Sequence, residues 1–238
     1  MDIALDFTKS LEVNASSYFE LAKKFRGKAE RAGRALELLK QRALVQNPRK
    51  KQFWYSKFHW FFSSKDVLCV GGRNAASNDV LVQKHVLPDE TVLHTEMAGS
   101  PFFVIKGVAD EETISECAVA TAVFSRAWKL GFASADVIVI KGSQLKKKGP
   151  KGESLAKGSF FVEGRHDLIR ASLECAVGVF ENVVVCAPLS SVSKKTKQFV
   201  VLHSGSLPKE DAAKSIASKL SVSVQDVIEV LPSGGFAL

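Results

Sequence analysis

The stretch KFHWFFSSKDVLCVGGR, residues 57–73, organises the reading of this chain. Its alternation puts His59 and Phe61 on one face, with Phe58, Trp60 and Phe62 on the other, the period of extended backbone. Val67 to Val70 then reads as a short strand, and Gly71-Gly72 as a turn after it. Cations and rings continue upstream, where Arg49, Lys50, Lys51 and Lys57 interleave with Phe53, Trp54 and Tyr55. Exposed rings stack on unpaired bases while neighbouring cations hold phosphates. A segment at the start of a domain also supplies core anchors, so the rings are expected to divide between surface and interior.

Working downstream, Asn78 to Leu87 reads as a helix stopped by Pro88, followed by strands at Thr91–His94 and Pro101–Lys106. Asp110 to Leu130 reads as one long helix. Glu111 and Glu112 lie in its first turn and Lys129 near its end, which suits the helix dipole, and Gly131 stops it. Further strands are expected at Asp136–Lys141, Gly158–Glu163, Val183–Cys186 and Phe199–His203. Pro208 to Leu220 reads as a helix and Asp226–Val230 as a final strand. Strands and helices interleave with only two long body helices. The expectation is an α+β body whose mixed β-sheet is packed by helices.

Upstream lies a different pattern. Leu11, Ala15, Tyr18, Ala22, Phe25, Ala29, Ala32, Leu36, Leu39 and Ala43 form an unbroken heptad seam, with Lys23, Lys24, Arg26, Lys28, Glu30, Arg31 and Arg34 off it. A helical coiled-coil arm is expected over residues 1–48, ended by Asn47-Pro48. Gly27 and Gly33 weaken it by roughly 1 kcal/mol each relative to alanine, so the arm needs a partner. No matching second helix follows. The seam at residues 11–43 therefore predicts a homodimer, packing back on the body, or a partner chain.

The 238 residues carry 33 Lys and Arg against 25 Asp and Glu, a formal charge of +8. Such an excess favours an acidic partner, nucleic acid or an anionic membrane. The segment KGSQLKKKGPKGESLAKG, residues 141–158, holds six lysines, one glutamate and four glycines, and reads as a solvated, mobile loop able to embrace phosphate. Cys69, Cys117, Cys175 and Cys186 form no CxxC pair and read as buried thiols of a reduced protein. No leader and no window approaching ~18 apolar residues is seen, so no membrane is expected and the cytoplasm is the expected compartment. Phosphate-loop, dinucleotide and nucleophile-elbow motifs are absent, and no metal ligand set or cofactor is expected. His94 and Glu96 are one pair with no third ligand nearby in sequence, leaving a metal-assisted hydrolase as an alternative class. A coiled-coil scaffold is another.

The residues also resemble a known family. Arg49-Lys50 with Trp54, then Lys57-Phe58-His59-Trp60-Phe61-x-Ser63-Ser64 and Leu68-x-Val70-Gly71-Gly72-Arg73-Asn74-x-x-x-Asn78, resemble the NFACT-R RNA-binding domain of the NEMF/RqcH family. The likeness continues through Val82, His94, Gly99, Ser125-Arg126-Ala127-Trp128 and Gly152-Glu153-x-Leu155-x-x-Gly158-Ser159-Phe160. Leu5-Asp6, Ser10 and Asn14-Ala15 resemble the family's approach to its coiled-coil arm. Cys186-Ala187-Pro188 through Gly234-Gly235 is similar to a trailing segment of longer members. The resemblance implies a role in ribosome-associated quality control of stalled nascent chains, with tRNA and the large ribosomal subunit as partners. It departs where many members have an aspartate after Gly-Gly-Arg, here Asn74, and His-Ala-Asp-x-x-Gly-Ala, here His94-Thr95-Glu96-x-x-Gly99-Ser100. The family's amino-terminal domain is not in this sequence.

These readings combine into a noncatalytic RNA-binding module with three parts: arm 1–48, an NFACT-R-like domain at 49–182, and an α/β extension of the same body at 183–238. The expected RNA contacts are Lys57, His59, Trp60, Arg73, Arg126, Lys146, Lys147, Lys148 and Lys151, with Gly71, Gly72 and Gly99 shaping turns.

Overall fold

The computed structural model describes residues 5–45, 53–149, 153 and 155–238, with backbone only over 35–45. Asn47-Pro48, the Arg49–Lys51 cluster, Lys151 and Gly152 lie outside the described residues, as do the side chains of Leu36, Leu39 and Ala43. The chain forms two units, residues 1–53 and 54–238.

In the first unit, helix α1 (Leu11–Val45) runs unbroken through both glycines. Asn14 is buried and folds the preceding turn onto the helix. Its amide oxygen accepts from Asp6 N at 3.0 Å, and its amide nitrogen donates to the carbonyls of Asp6 and Ser10. Seam residues Leu11 and Phe25 are exposed, as are Phe19 and Leu21 off the seam.

In the second unit, the alternation at 57–73 becomes a hairpin. Strand β1 (His59–Phe62) pairs antiparallel with β2 (Leu68–Gly71), from His59 opposite Gly71 to Phe62 opposite Leu68. Helix α2 (Ala75–His85) follows, then β3 (Thr91–Thr95) and β4 (Phe103–Lys106). Helix α3 (Glu111–Val123), the short α4 (Arg126–Lys129) and β5 (Ser134–Lys141) come next. After a short ribbon of β6 (Leu145–Lys146) and β7 (Phe161–Val162), β8 (Asp167–Ser172) completes a six-stranded sheet of order β1-β2-β4-β3-β5-β8.

Every pairing in this sheet is antiparallel, which corrects the expectation of a mixed sheet. The α2 crossover does carry the chain from one strand to another pointing the same way. However, β4 returns between β2 and β3 and separates them, so the two never pair.

Period-2 alternation feeds two cores. Val70, Val92, Val104, Ile138 and Ile140 face Tyr55, Phe58, Leu81 and Phe102. Phe61, Cys69, Leu93, Phe103, Ile105 and Val137 face α3 and a second sheet. Burying a Phe such as Phe61 or Phe103 is worth about 1.5–3 kcal/mol. The second sheet has the order β10-β9-β11-β12, built from β9 (Cys175–Phe180), β10 (Val183–Pro188), β11 (Phe199–Leu207) and β12 (Phe236–Ala237). It is accompanied by helices α5 (Leu189–Lys195), α6 (Lys209–Leu220) and α7 (Val224–Val230). Between the sheets, α3 is mostly buried from Glu116 onward, which its Cys, Ala and Thr side chains permit. Glu116 on α3 ties both parts together, accepting from Ser64 N and from Ser190 Oγ, each at 2.8 Å. All four cysteines are buried and free.

Three further expectations change. The long helix breaks at Phe124-Ser125, because Ser125 caps a new turn by accepting from Ala127 N while its hydroxyl donates to Ala122 O. Residues 226–230 are helical, not a strand. Ser223 caps α7, and its β-branched residues recur at Val224, Val227 and Ile228, the spacing of a helix face. In the 141–158 segment, expected as a mobile loop, Gly142–Gln144 form a 3₁₀ turn and Leu145–Lys146 form β6, and the other described residues after Lys146 lie in no helix or strand element.

Candidate nucleic-acid interface

The family-like block GGRN lies where β2 hands over to α2. Asn74 caps the helix through a reciprocal pair, its Oδ1 accepting from Ser77 N at 2.9 Å and its own N–H donating to Ser77 Oγ at 2.8 Å. An amide oxygen fills this role as an aspartate would, without the charge. The two glycines serve close approach. Gly71 ends β2, and a Cβ there would fall 2.3 Å from the Phe103 ring. At Gly72 a Cβ would fall 1.9 Å from Asn78 Oδ1. Buried Asn78 accepts from Phe102 N and donates to Ser100 O, both at 3.3 Å, and so tethers α2 to the β3–β4 connection.

Around this tether opens a cleft of about 460 Å³. It is lined by Arg73, Asn74 and Asn78 from the α2 start, His94 and Gly99–Phe102 from the β3–β4 connection, Phe124, and Lys157–Phe160 opposite. Among the described residues no carboxylate lines it. Gly99 turns with φ +88°, and its carbonyl accepts from Arg126 N at 3.2 Å, which sets exposed Arg126 beside the rim. His94 stacks on Phe102 at 4.2 Å, and Phe102 meets Phe160 edge-on at 5.4 Å. Burial lowers the His94 pKa, opposed in part by the carbonyls of Thr95 and Ser100, so the ring is neutral at physiological pH.

Of the expected contacts, Arg73 lines this cleft, and Arg126 lies next to its lining residue Gly99. Burial lowers the Arg73 pKa, with Glu229 acting against it. His59 instead stacks on Phe124 at 3.9 Å. Its pKa is pushed down to about 3 by burial first and then by Arg73 and Lys209, so it brings no charge to a phosphate. Trp60 is half-buried between Tyr55 and Phe62, while the more exposed Trp54 stacks on His85 at 4.4 Å. Lys57 is exposed.

The lysine run divides. Lys147 turns inward to Asp79 at 2.8 Å and to the carbonyls of Ala156 and Ser159 at 3.2 Å, with its ammonium 4.7 Å from the Phe160 ring. Asp79 has a lowered pKa, chiefly through Lys147. This lysine fastens the cleft's outer wall instead of facing solvent like its neighbours. Lys146 and Lys148 are exposed beside a separate concavity of about 410 Å³, where Glu163 lies 3.8 Å from Lys146. Lys151 lies outside the described residues. Sequence reasoning missed Lys157, Phe102 and Phe160 as lining groups, although Gly158-Ser159-Phe160 stood in the family-like pattern.

The alternative hydrolase centre finds no support. Glu96 is exposed, and among the described residues no group of three His, Cys, Asp or Glu side chains is placed to hold a metal.

An antiparallel α+β domain with a cation-rimmed, aromatic-floored cleft is the class that fold and site define. Residues 57–164 match the family described as NFACT protein RNA binding domain, and an NFACT-R domain is present in this chain. The chain is homologous to proteins of the NEMF/RqcH family. It is 34% identical over 200 residues to the archaeal Rqc2 homolog aRqcH of Methanocaldococcus jannaschii, covering 79% of this chain and 29% of that protein. It is 28% identical over 185 residues to the ribosome quality control complex subunit NEMF homolog of Drosophila melanogaster, covering 70% of this chain and 18% of that protein. Against the Homo sapiens ribosome quality control complex subunit NEMF it is 28% identical over 160 residues, covering 63% and 14%. The chain thus spans less than a third of the length of these relatives. Among the described residues no helix is long and apolar enough to cross a membrane.

Proposed function

We propose that this chain is a noncatalytic RNA-binding module that grips tRNA and ribosomal RNA of the large subunit during quality control of stalled nascent chains in the cytoplasm. One observation carries the reading. Arg73, Asn74, Asn78, His94, Gly99 and Gly158–Phe160, separated in sequence and all within the NFACT-R match, converge on one cleft that has cations at its rim and no carboxylate among the described residues of its lining. Arg73, Arg126 and Lys157 hold backbone phosphates there, and exposed Lys57, Lys146 and Lys148 extend the basic surface. Lys151 belongs to the same lysine run. The divisions 1–48, 49–182 and 183–238 fit this reading. The last part shares its core with the sheet of the second and is tied to it through Glu116–Ser190 and Ser191–Phe62.

Titrating tRNA and rRNA fragments across salt concentrations tests the proposal. Affinity should fall steeply with salt, and Arg73→Gln with Arg126→Gln should flatten the log–log slope by roughly 1.4–1.8. Negligible binding at low salt, or a slope unmoved by both changes, removes the reading.

The exposed apolar side chains Leu11 and Phe25 on the α1 seam favour a further partner, a second helix of this chain or another. Mass in solution with and without residues 1–48 checks this. An unchanged association state together with retained RNA binding would exclude self-pairing through the arm.

A further inference from the structure

We propose that the cleft beside α2 accepts a single unpaired nucleotide, its base stacked on His94 backed by Phe102 with Phe160 as a side wall, and its phosphates on Arg73, Arg126 and Lys157. This deepens the RNA-binding reading and rests on it. The cleft's volume of about 460 Å³ lies within the roughly 300–1,000 Å³ of sites that enclose small ligands, and a duplex does not fit such a space. Its floor is aromatic. His94 lies flat on Phe102, with ring planes 27° apart, and Phe160 stands at 85° to Phe102. A neutral imidazole offers a π-face without a charge to satisfy. The wall at Lys157–Phe160 is held closed by Lys147 on Asp79, so the pocket is shaped before any ligand arrives.

Charge supports the same ligand. The rim is cationic and no described residue of the lining is a carboxylate, which suits a phosphate at the mouth and a flat polar ring inside. Two other large concavities among the described residues lack this division. One mixes Asp89 and Asp167 with Lys141 and Arg165, and the other sets Glu163 beside Lys146. Neither is floored by stacked rings.

The test uses the full chain and two RNA hairpins with equal numbers of nucleotides. In one, a single 2-aminopurine is bulged from the stem; in the other, the same base is paired. The bulged hairpin should bind roughly tenfold more tightly, with a change in 2-aminopurine fluorescence on binding. His94→Leu and Phe160→Leu should each remove most of that preference and the fluorescence change. Both variants are checked for an unaltered melting profile, and half-buried Phe160 is the second substitution because it sits at the cleft wall. Equal affinity of the unmodified chain for the two hairpins, or a preference that survives both substitutions, overturns the single-nucleotide site while RNA binding stands. If neither hairpin binds at low salt, the RNA-binding reading fails with it.

Discussion

Replacing Asn78 with alanine tests the link between the family-like block and the cleft. The side chain is 6% exposed and makes two bonds to backbone in the β3–β4 connection, accepting from Phe102 N and donating to Ser100 O, each at 3.3 Å. Alanine leaves one buried N–H and one buried carbonyl without these partners. A buried polar group stranded in this way costs about 1–3 kcal/mol. Both bonds are long, so about 1–1.5 kcal/mol applies to each, for a total of roughly 2–3 kcal/mol. For a chain of this length each kcal/mol lowers Tm by about 2–4 °C, which gives a fall of roughly 4–12 °C in calorimetry or circular dichroism. RNA affinity should fall with it, because Ser100 and Phe102 line the cleft. Gly72→Ala should act in the same direction, since its Cβ would press on the Asn78 amide. A change in Tm below about 2 °C for Asn78→Ala would refute the argument that this side chain fixes the cleft.

Two further outcomes follow from buried chemistry. The His59 pKa is about 3 in the fold, against 6.5 for the free side chain, so the unfolded chain binds more protons between those values. Stability should therefore decline as pH falls below 6.5, by roughly 1–2 kcal/mol at pH 5 after allowance for partial solvent access. Urea titrations should show His59→Phe with a weaker pH dependence over this window, and parallel curves for the two proteins would contradict it. Carboxylates held low, such as Glu112 at about 2, lose their contribution below about pH 4.5, so the comparison is read between pH 5 and 6.5. Lys147→Ala should open the wall at residues 156–160, raising amide hydrogen exchange there and weakening RNA binding beyond the loss of one charge. Lys148→Ala should change only the salt-dependent component, and identical exchange profiles for the two variants would sink this distinction.

Much of the framework was legible locally. The alternation at 57–73 defined the hairpin, with His59 and Phe61 facing one core and Trp60 and Phe62 the other, because side-chain direction in a strand depends only on position parity. Pro208 marked the start of α6, and the heptad pattern marked α1, for equally local reasons. The β-branched run at 224–230 misled because its composition favours strand while its Ser223 cap and packed Val227 favour helix. Long-range geometry decided the rest. The insertion of β4 between β2 and β3 made the sheet antiparallel, a matter of strand order that no single segment encodes.

By itself, then, the sequence determined the local periods, the net positive charge, the two glycines and the family-like blocks that mark an NFACT-R domain. Only tertiary structure decided which cations face solvent. Lys147 and Lys148 are adjacent and chemically identical, yet one binds Asp79 across 68 residues while the other is exposed. His59 is neutral because the folded chain buries it near Arg73 and Lys209. Desolvation and charge pairing depend on what the fold brings within a few ångströms, and that distance is set by the packing of remote segments, not by neighbours in the chain.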